Sequence, residues 1–171
     1  MPFRALPVVV TGLLLAAGSP GRLAAQDHAA HHPVAPAATN DSAFRALQAR
    51  GAGTMGVDQY ASRHLFEDRP DGGRIELQMR EADSVGVAAI RTHLQKTAEE
   101  FRGGVFRAPE ATHAMVVPGT AVMTERKGMI QYQYRPLPQG GEILIATDDP
   151  QALAAVHEFL AFQRSDHRVA K

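Results

Sequence analysis

The stretch that decides the fold runs Gln139-Gly-Gly-Glu-Ile-Leu-Ile-Ala-Thr-Asp-Asp149-Pro150-Gln-Ala-Leu-Ala-Ala-Val-His157-Glu-Phe-Leu160. Its paired glycines predict a turn, and the apolar residues after them predict a short strand. Asp149 followed by Pro150 is a strong helix start, because an Asp side chain caps a helix and Pro fits the first helical position. The spacing that follows predicts an amphipathic helix with Val156 and Leu160 on one face.

An earlier copy of this pattern determines the fold class. Gly72-Gly73 recurs as Gly140-Gly141, 68 residues later, and Ala88-Ala89-Ile90 recurs as Ala154-Ala155-Val156, 66 residues later. Self-similarity at a fixed period indicates repeated structural units. We therefore predict an α+β fold made of an internally duplicated strand-strand-helix unit, with a four-stranded antiparallel sheet and two helices on one face.

The chain of 171 residues is predicted to contain one domain behind an export signal. Residues 1–25 combine a positive Arg4, an apolar run and the small-residue ending Arg22-Leu-Ala-Ala25, which predicts a signal peptide and a periplasmic or extracellular location. A membrane anchor is the alternative, but the run is shorter than the ~20 residues that span a bilayer. Residues 26–53 read as a disordered His/Ala/Pro-rich linker with a short helix over 42–50, and residues 54–168 as the single α+β domain.

Charge and composition exclude several classes of protein. The whole chain has 18 basic and 18 acidic residues, and removal of residues 1–25 leaves 16 − 18 = −2. Such a chain lacks the basic surface that nucleic acids require. It contains no Cys, so disulfides and thiolate chemistry are excluded. Catalytic motifs such as G-x-S-x-G and H-E-x-x-H are also absent, which favours a protein that is not an enzyme.

Three phrases carry a resemblance to other proteins: Met55-Gly-Val-Asp-Gln59, Ile90-Arg-Thr-His93-Leu94, and the closing run from Ala154 to Arg168. They resemble an uncharacterised family of bacterial, often exported, proteins with an MGxDQ start and an AxHxFLxFQxxDHR ending. That family has no established activity, so the resemblance implies an exported domain and adds no mechanism. The chain departs from the pattern at Leu65, where a second His is expected, and in its last three residues.

The histidines are the candidate functional residues, and they are His28, His31, His32, His64, His93, His113, His157 and His167. Imidazole is the commonest neutral metal ligand, and it suits copper and zinc, whereas the Met thioether suits Cu(I).

The predicted metal site consists of His64, His93 and His113, with Met123 as a further ligand. Strand periodicity directs His64 toward the helices, and helix periodicity places His93 beside a buried stripe. The alternative is that these histidines are ordinary hydrogen-bonded residues and that Met123 is core filler.

Both ends of the chain offer weaker candidates. Cleavage after Ala25 would expose Gln26-Asp27-His28, whose amine, amides and imidazole form a square-planar site for Cu(II) or Ni(II). Near the other end, Asp166 could orient His167, although adjacent helical residues point apart. A frayed helix end is the favoured interpretation there.

The predicted function is that of an exported α+β domain that binds a transition metal, with copper favoured over zinc. The alternative is a metal-free module for a small ligand or partner. It would present either residues 105–127, which are predicted to form a long connection with one helical turn, or the polar sheet face of Arg74, Glu76, Gln78, Gln131 and Gln133. An enzyme with His64 or His93 as general base is the third hypothesis. The predicted partner is a metal ion or a small ligand, and no nucleic acid is expected. No membrane span is predicted once the signal is removed. The sequence does not define the oligomeric state.

Overall fold

Two hairpins form the sheet, as the alternating apolar residues around the paired glycines predict. The computed structural model describes residues 38–168. The first hairpin consists of β1 (Ser62–Arg69) and β2 (Gly72–Met79), and the second of β3 (Gln131–Leu137) and β4 (Gly140–Ala146). All neighbouring strands are antiparallel, in the order β1-β2-β4-β3. The predicted four-stranded antiparallel sheet is confirmed.

The two hairpins have the same register after a shift of 68 residues. Phe66 pairs with Ile75 in the first hairpin, and Tyr134 pairs with Ile143 in the second. On the two central strands Ile75 pairs with Ile143, which is its own counterpart. The strand pairing is therefore two-fold symmetric about this pair. Equal registers agree with a duplicated unit, and the duplication itself stays a prediction.

Two long helices cover one face of the sheet, and both begin at the predicted caps. They are α2 (Ser84–Arg102) and α5 (Pro150–Asp166). The Asp83 carboxylate accepts from two backbone N–H groups of α2, and the Asp149 carboxylate does the same for α5. Each helix packs mainly on the hairpin of the other unit, α2 on β3 and β4 and α5 on β1 and β2. The core between helices and sheet is apolar and almost inaccessible to solvent.

One side chain from each of these helices holds the turn of the opposite hairpin. Arg91 donates to the carbonyl oxygens of Leu137 and Gly140, at 2.8 and 3.1 Å. The Nε2 of His157 donates to the two equivalent carbonyl oxygens in the β1–β2 turn, both at 3.0 Å. Because Arg91 and His157 correspond under the 66-residue shift of the helices, His157 has a structural role and is not a site residue.

Three further helices extend the predicted architecture. They are α1 (Ala38–Met55), α3 (Arg107–His113) and α4 (Thr120–Glu125), and a 3-10 turn follows over Lys127–Met129. The segment between the two units was predicted as a long connection with one helical turn, and it contains α3 and α4 instead.

The helix in the predicted linker is longer than the one expected over 42–50, because α1 begins at Ala38 and continues through Gly51 and Gly53 to Met55. Leu47 and Gly51 are buried, and α1 packs against α3. The Nε of Arg50 donates to the Thr112 carbonyl oxygen at 2.8 Å. The folded part therefore begins earlier than residue 54. The predicted signal peptide (1–25) and residues 26–37 of the predicted linker lie outside the described residues.

Helices and sheet are segregated in this chain, so the predicted α+β class is confirmed. Across residues 38–168, none of the helices combines the length and apolarity that are needed to cross a bilayer.

Candidate functional site

A cavity of about 80 Å³ lies between the sheet, α2, α3 and α5. Its wall is largely apolar, with Phe66, Leu77, Leu94 and Phe159 among the lining residues. The described part of the chain contains five histidines, and four of them line this cavity. These four come from β1, α2, α3 and the residue after α5, and they are His64, His93, His113 and His167.

His113 ends α3 and has hydrogen-bond partners on both ring nitrogens. Its Nδ1 lies 2.5 Å from Asp166 Oδ2, and its Nε2 lies 3.0 Å from Gln163 Oε1. A carboxylate only accepts, so Nδ1 carries the proton, and in the neutral ring Nε2 carries a lone pair. Asp166 therefore holds His113 in the tautomer and orientation that direct this lone pair toward Gln163.

Gln163 can donate a hydrogen bond to that lone pair if the positions of its amide oxygen and nitrogen are exchanged. As placed, its carbonyl oxygen faces His113 while its amide nitrogen is buried without a partner. Exchanging the two amide atoms gives His113 Nε2 a donor, and such exchanges follow from the hydrogen-bond network. The oxygen of Gln163 then takes the position without a partner. Gln163 is only 3% exposed and lines the cavity.

His167 lies just beyond the end of α5 and is buried. Its Nδ1 donates to Gln59 Oε1 at 3.1 Å, and the Gln59 amide nitrogen donates back to the His167 carbonyl oxygen at 3.4 Å. The Nε2 of His167 therefore carries the lone pair. The pKa of His167 is lowered to about 3, mainly by burial, with smaller contributions from His64 and His113 and an opposing effect of Asp166.

His64 points inward from β1, as strand periodicity predicts. The Ser62 hydroxyl donates to the Asp58 carbonyl oxygen at 3.0 Å, so its oxygen accepts from His64 Nε2 at 3.3 Å. The Nδ1 of His64 is left with the lone pair. Burial lowers the pKa of His64 to about 4, with smaller contributions from His93 and Arg80.

His93 stands between the cavity and a wider groove on the protein surface. The groove has a volume of about 550 Å³ and shares Met55, His93, Thr97 and Ala108 with the cavity wall. Burial lowers the pKa of His93; Glu100 and a hydrogen bond to the Thr54 backbone oppose this effect, and Lys96 adds to it. His93 therefore lies in the wall that separates the cavity from the groove.

Three of the imidazole rings are close neighbours. The ring centroids are 5.4 Å apart for His64 and His167, and 5.1 Å apart for His113 and His167. Phe66 stacks on His167, and Phe162 packs its edge against His113, so aromatic contacts fix the rings from outside. Within residues 38–168, no group of three or more His, Asp or Glu side chains is already arranged to hold a metal ion.

Three of the four predicted site residues, His64, His93 and His113, line the same cavity. Met123 does not: it is fully buried in the core on α4, and the methionine in the cavity wall is Met55.

The sequence interpretation missed His167, which it treated as a frayed helix end, together with Gln163 and Asp166. A signal for them exists, because positions 163, 166 and 167 are three and four apart and share one helix face. The end of α5 and the residue that follows it thus contribute three polar side chains to one place.

No protein-family model matches the chain, and neither a curated protein nor a solved structure matches it. The resemblance to a bacterial family therefore stays a prediction. The fold and the cavity define a small α+β domain with a histidine-lined cavity.

Proposed function

We propose that the cavity binds a transition-metal ion through imidazole ligands, with copper favoured. The observation that carries the proposal is the hydrogen bonding of His64, His113 and His167: each donates an N–H to a protein acceptor, and its other ring nitrogen carries a lone pair. The acceptors are Ser62, Asp166 and Gln59. Metal-bound histidines show this pattern, because the outer acceptor fixes the tautomer and orients the ring.

The ring spacing supports the proposal. With metal–nitrogen bonds of ~2.0–2.1 Å, two imidazoles on one tetrahedral ion have centroids about 5 Å apart. The separations of 5.4 and 5.1 Å around His167 have this size. Binding still requires rearrangement, because the lone pair of His113 faces Gln163 and the four nitrogens do not yet converge. The ion would displace the Gln163 amide and turn the rings by small side-chain rotations.

The charge of the site favours Cu(I) over Zn²⁺. Low pKa values keep His64, His93 and His167 neutral at neutral pH, so these ligands bring no negative charge into an apolar cavity. Burial of an ion costs more for a divalent than for a monovalent charge, because the solvation energy rises with the square of the charge. The thioether of Met55 in the cavity wall is a soft ligand of the kind that selects Cu(I).

Hydrolytic catalysis by a serine is not supported. Ser62 lies against His64, but its proton is directed to the Asp58 carbonyl oxygen, and His64 is the donor of the pair. A nucleophilic serine needs the reverse direction of proton transfer.

The proposal is tested by metal analysis of the untagged protein with His28→Gln, which removes the predicted N-terminal copper motif. We expect one copper per chain. His113→Gln and His167→Gln should each weaken Cu(I) binding by at least ~100-fold in a chelator competition, since loss of an outer-shell partner alone costs ~10–100-fold. His157→Gln is the matched control and should bind as tightly as the parent. Equal affinity in all three variants would refute the site.

A metal-free binding module is the second candidate, and the absence of a preassembled ligand group in residues 38–168 favours it. In that case a small molecule with hydrogen-bonding atoms would occupy the cavity among neutral imidazoles. Protein that is purified without metal and gains no thermal stability from Cu(I) or Zn²⁺ would support this candidate.

We further propose that residues 1–25 are a cleaved export signal and that the two hairpin–helix units descend from one duplicated unit. The composition of residues 1–25 supports the first statement. The shared registers and the equivalent contacts of Arg91 and His157 support the second. The mass of the mature protein used for metal analysis tests the first directly.

A further inference from the structure

A hollow of about 350 Å³ lies at one end of the sheet, apart from the histidine cavity, with which it shares no lining residue. It is found where the start of β1 and the end of β2 meet the turn between β3 and β4. The lining residues are Arg63, Gln78, Met79, Arg80 and Gln139. Four of these five side chains can donate hydrogen bonds, and none of them is acidic. We call this place the arginine hollow.

Strand pairing brings the two arginines of the hollow together. Arg63 on β1 pairs with Gln78 on β2. The backbone N–H of Arg80 donates to the Ala61 carbonyl oxygen at 2.9 Å, which extends this ladder by one residue pair. Arg63 and Arg80 are therefore diagonal neighbours across the two strands, ~7–8 Å apart, a distance that long side chains can span. Two guanidinium groups can thus contact one ligand.

The arginine hollow carries a positive charge that is not compensated within it. The side chain of Arg80 forms no ion pair within residues 38–168. Arg63 pairs with Glu76 through Nη2 alone, at 3.0 Å, so its other guanidinium nitrogens keep N–H groups to donate. Planar guanidinium groups match the paired oxygens of carboxylates and phosphates. The free charge and the free donors therefore favour an anion with several oxygen atoms.

The two glutamines of the hollow agree with this preference. The side-chain oxygen of Gln78 accepts from the Gln139 backbone N–H at 3.4 Å, and its amide nitrogen donates to Glu76 Oε1 at 2.7 Å. Both ends of the Gln78 amide are thus engaged. The side-chain amide of Gln139 has no partner within residues 38–168, so it can donate to a ligand.

We propose that the arginine hollow binds a small organic anion, whose carboxylate or phosphate group lies between Arg80 and Arg63 and accepts a further hydrogen bond from Gln139. The volume sets the size of the ligand. A water molecule takes ~30 Å³ in the liquid, so the hollow holds roughly ten non-hydrogen atoms, more than a bare phosphate has. The inference goes beyond the proposed copper site and does not depend on it, because the two places share no residue.

Isothermal titration calorimetry of the untagged, metal-free protein tests the site at low salt, where exposed charges are least screened. The probes are glutarate for a carboxylate and glycerol 3-phosphate for a phosphate, each of about the size of the hollow. We expect one molecule per chain to bind with at least one probe, and the tighter probe identifies the anionic group. Arg80→Gln should weaken this binding by at least ~10-fold, which corresponds to ~1.4 kcal/mol.

Arg135→Gln is the matched control, because it removes an exposed arginine of β3 that does not line the hollow. It should bind the probe as tightly as the parent protein. Arg80 is also exposed, so its replacement should leave the fold intact, and thermal unfolding of the variant checks this.

Three results would overturn the inference. Lack of binding with both probes would show that the hollow is not an anion site. Equal affinities in Arg80→Gln and Arg135→Gln, whether reduced or not, would show that Arg80 does not define a site. Equal affinity for 1,5-pentanediol, the uncharged counterpart of glutarate, would show that charge is not recognised. None of these results bears on copper binding, which metal analysis tests separately.

Discussion

At the residue scale, buried polar atoms without partners occur both at the cavity and away from it. Gln163 faces the cavity, where a bound molecule can satisfy its amide. Tyr132 also has a buried hydroxyl without a partner, but it lies in the apolar core with its ring against Phe101. Burial raises the pKa of Tyr132 well above its usual value. The hydroxyl of Tyr132 therefore carries a desolvation cost that no hydrogen bond in the described residues offsets.

Tyr132→Phe is accordingly expected to stabilise the protein. Removing an unsatisfied buried hydroxyl while keeping the ring should raise the free energy of unfolding by about 1 kcal/mol. Denaturant titration of both proteins measures the difference. Tyr134→Phe serves as the control on the same strand, because the Tyr134 hydroxyl is not among the buried atoms without partners, and it should not gain stability. A loss of stability in Tyr132→Phe would mean that the hydroxyl has a partner.

Single residues also show which part of the site a sequence can predict. His64 and His93 follow from local periodicity, because a strand and a helix fix the direction of their side chains. The partners of His113 are 50 and 53 residues away, and Gln59 lies 108 residues from His167. Such pairs result from the packing of α3 and α5 on the sheet, which no local pattern encodes.

At the element scale, hairpins and helix starts were predictable, whereas α1 was not. Paired glycines and capping aspartates act locally, so a turn or a helix start can be predicted from a few neighbouring residues. Gly51-Ala-Gly53 lowers helix propensity in the same local sense, yet α1 continues to Met55 because tertiary packing on α3 overrides propensity. This packing also brings Met55 to the cavity wall.

The contribution of α1 can be measured through Leu47, whose side chain is buried. Leu47→Ala removes apolar contacts and leaves a cavity, which should lower the free energy of unfolding by ~2–4 kcal/mol. Arg45→Ala on the exposed side of the same helix is the control and should change it by less than ~0.5 kcal/mol. If both substitutions have the same small effect, α1 does not belong to the cooperative fold, and the originally predicted linker is the better description.

At the scale of the whole molecule, the cavity breaks the symmetry of the sheet. The positions equivalent to His64 and His93 are occupied by Tyr132 and Phe159, and both are buried. Phe159 packs with Phe101 and Phe106 in an aromatic cluster. The second unit therefore fills its core with rings where the first unit presents imidazoles.

The buried imidazoles make the stability of the metal-free protein depend on pH. Burial lowers the pKa of His64 to about 4 and that of His167 to about 3, whereas an unfolded chain has His pKa values near 6.5. Between those values the unfolded chain binds more protons than the folded protein. The contribution of these histidines to the free energy of unfolding is therefore fully present above pH 6.5. It is lost as the pH falls toward 4, by up to ~1.4 kcal/mol per pH unit for each histidine.

Denaturant titrations between pH 7 and pH 5 measure this slope. Replacing His167 with Gln removes one of three groups that take up protons on unfolding, the others being His64 and His93, so the slope should fall by roughly a third to a half. Leu47→Ala is the control, because it lowers stability at every pH without changing proton uptake. An unchanged slope in both His167→Gln and His64→Gln would show that these imidazoles titrate alike in the folded and unfolded chains. They would then not be the neutral ligands that a copper(I) site in this cavity requires.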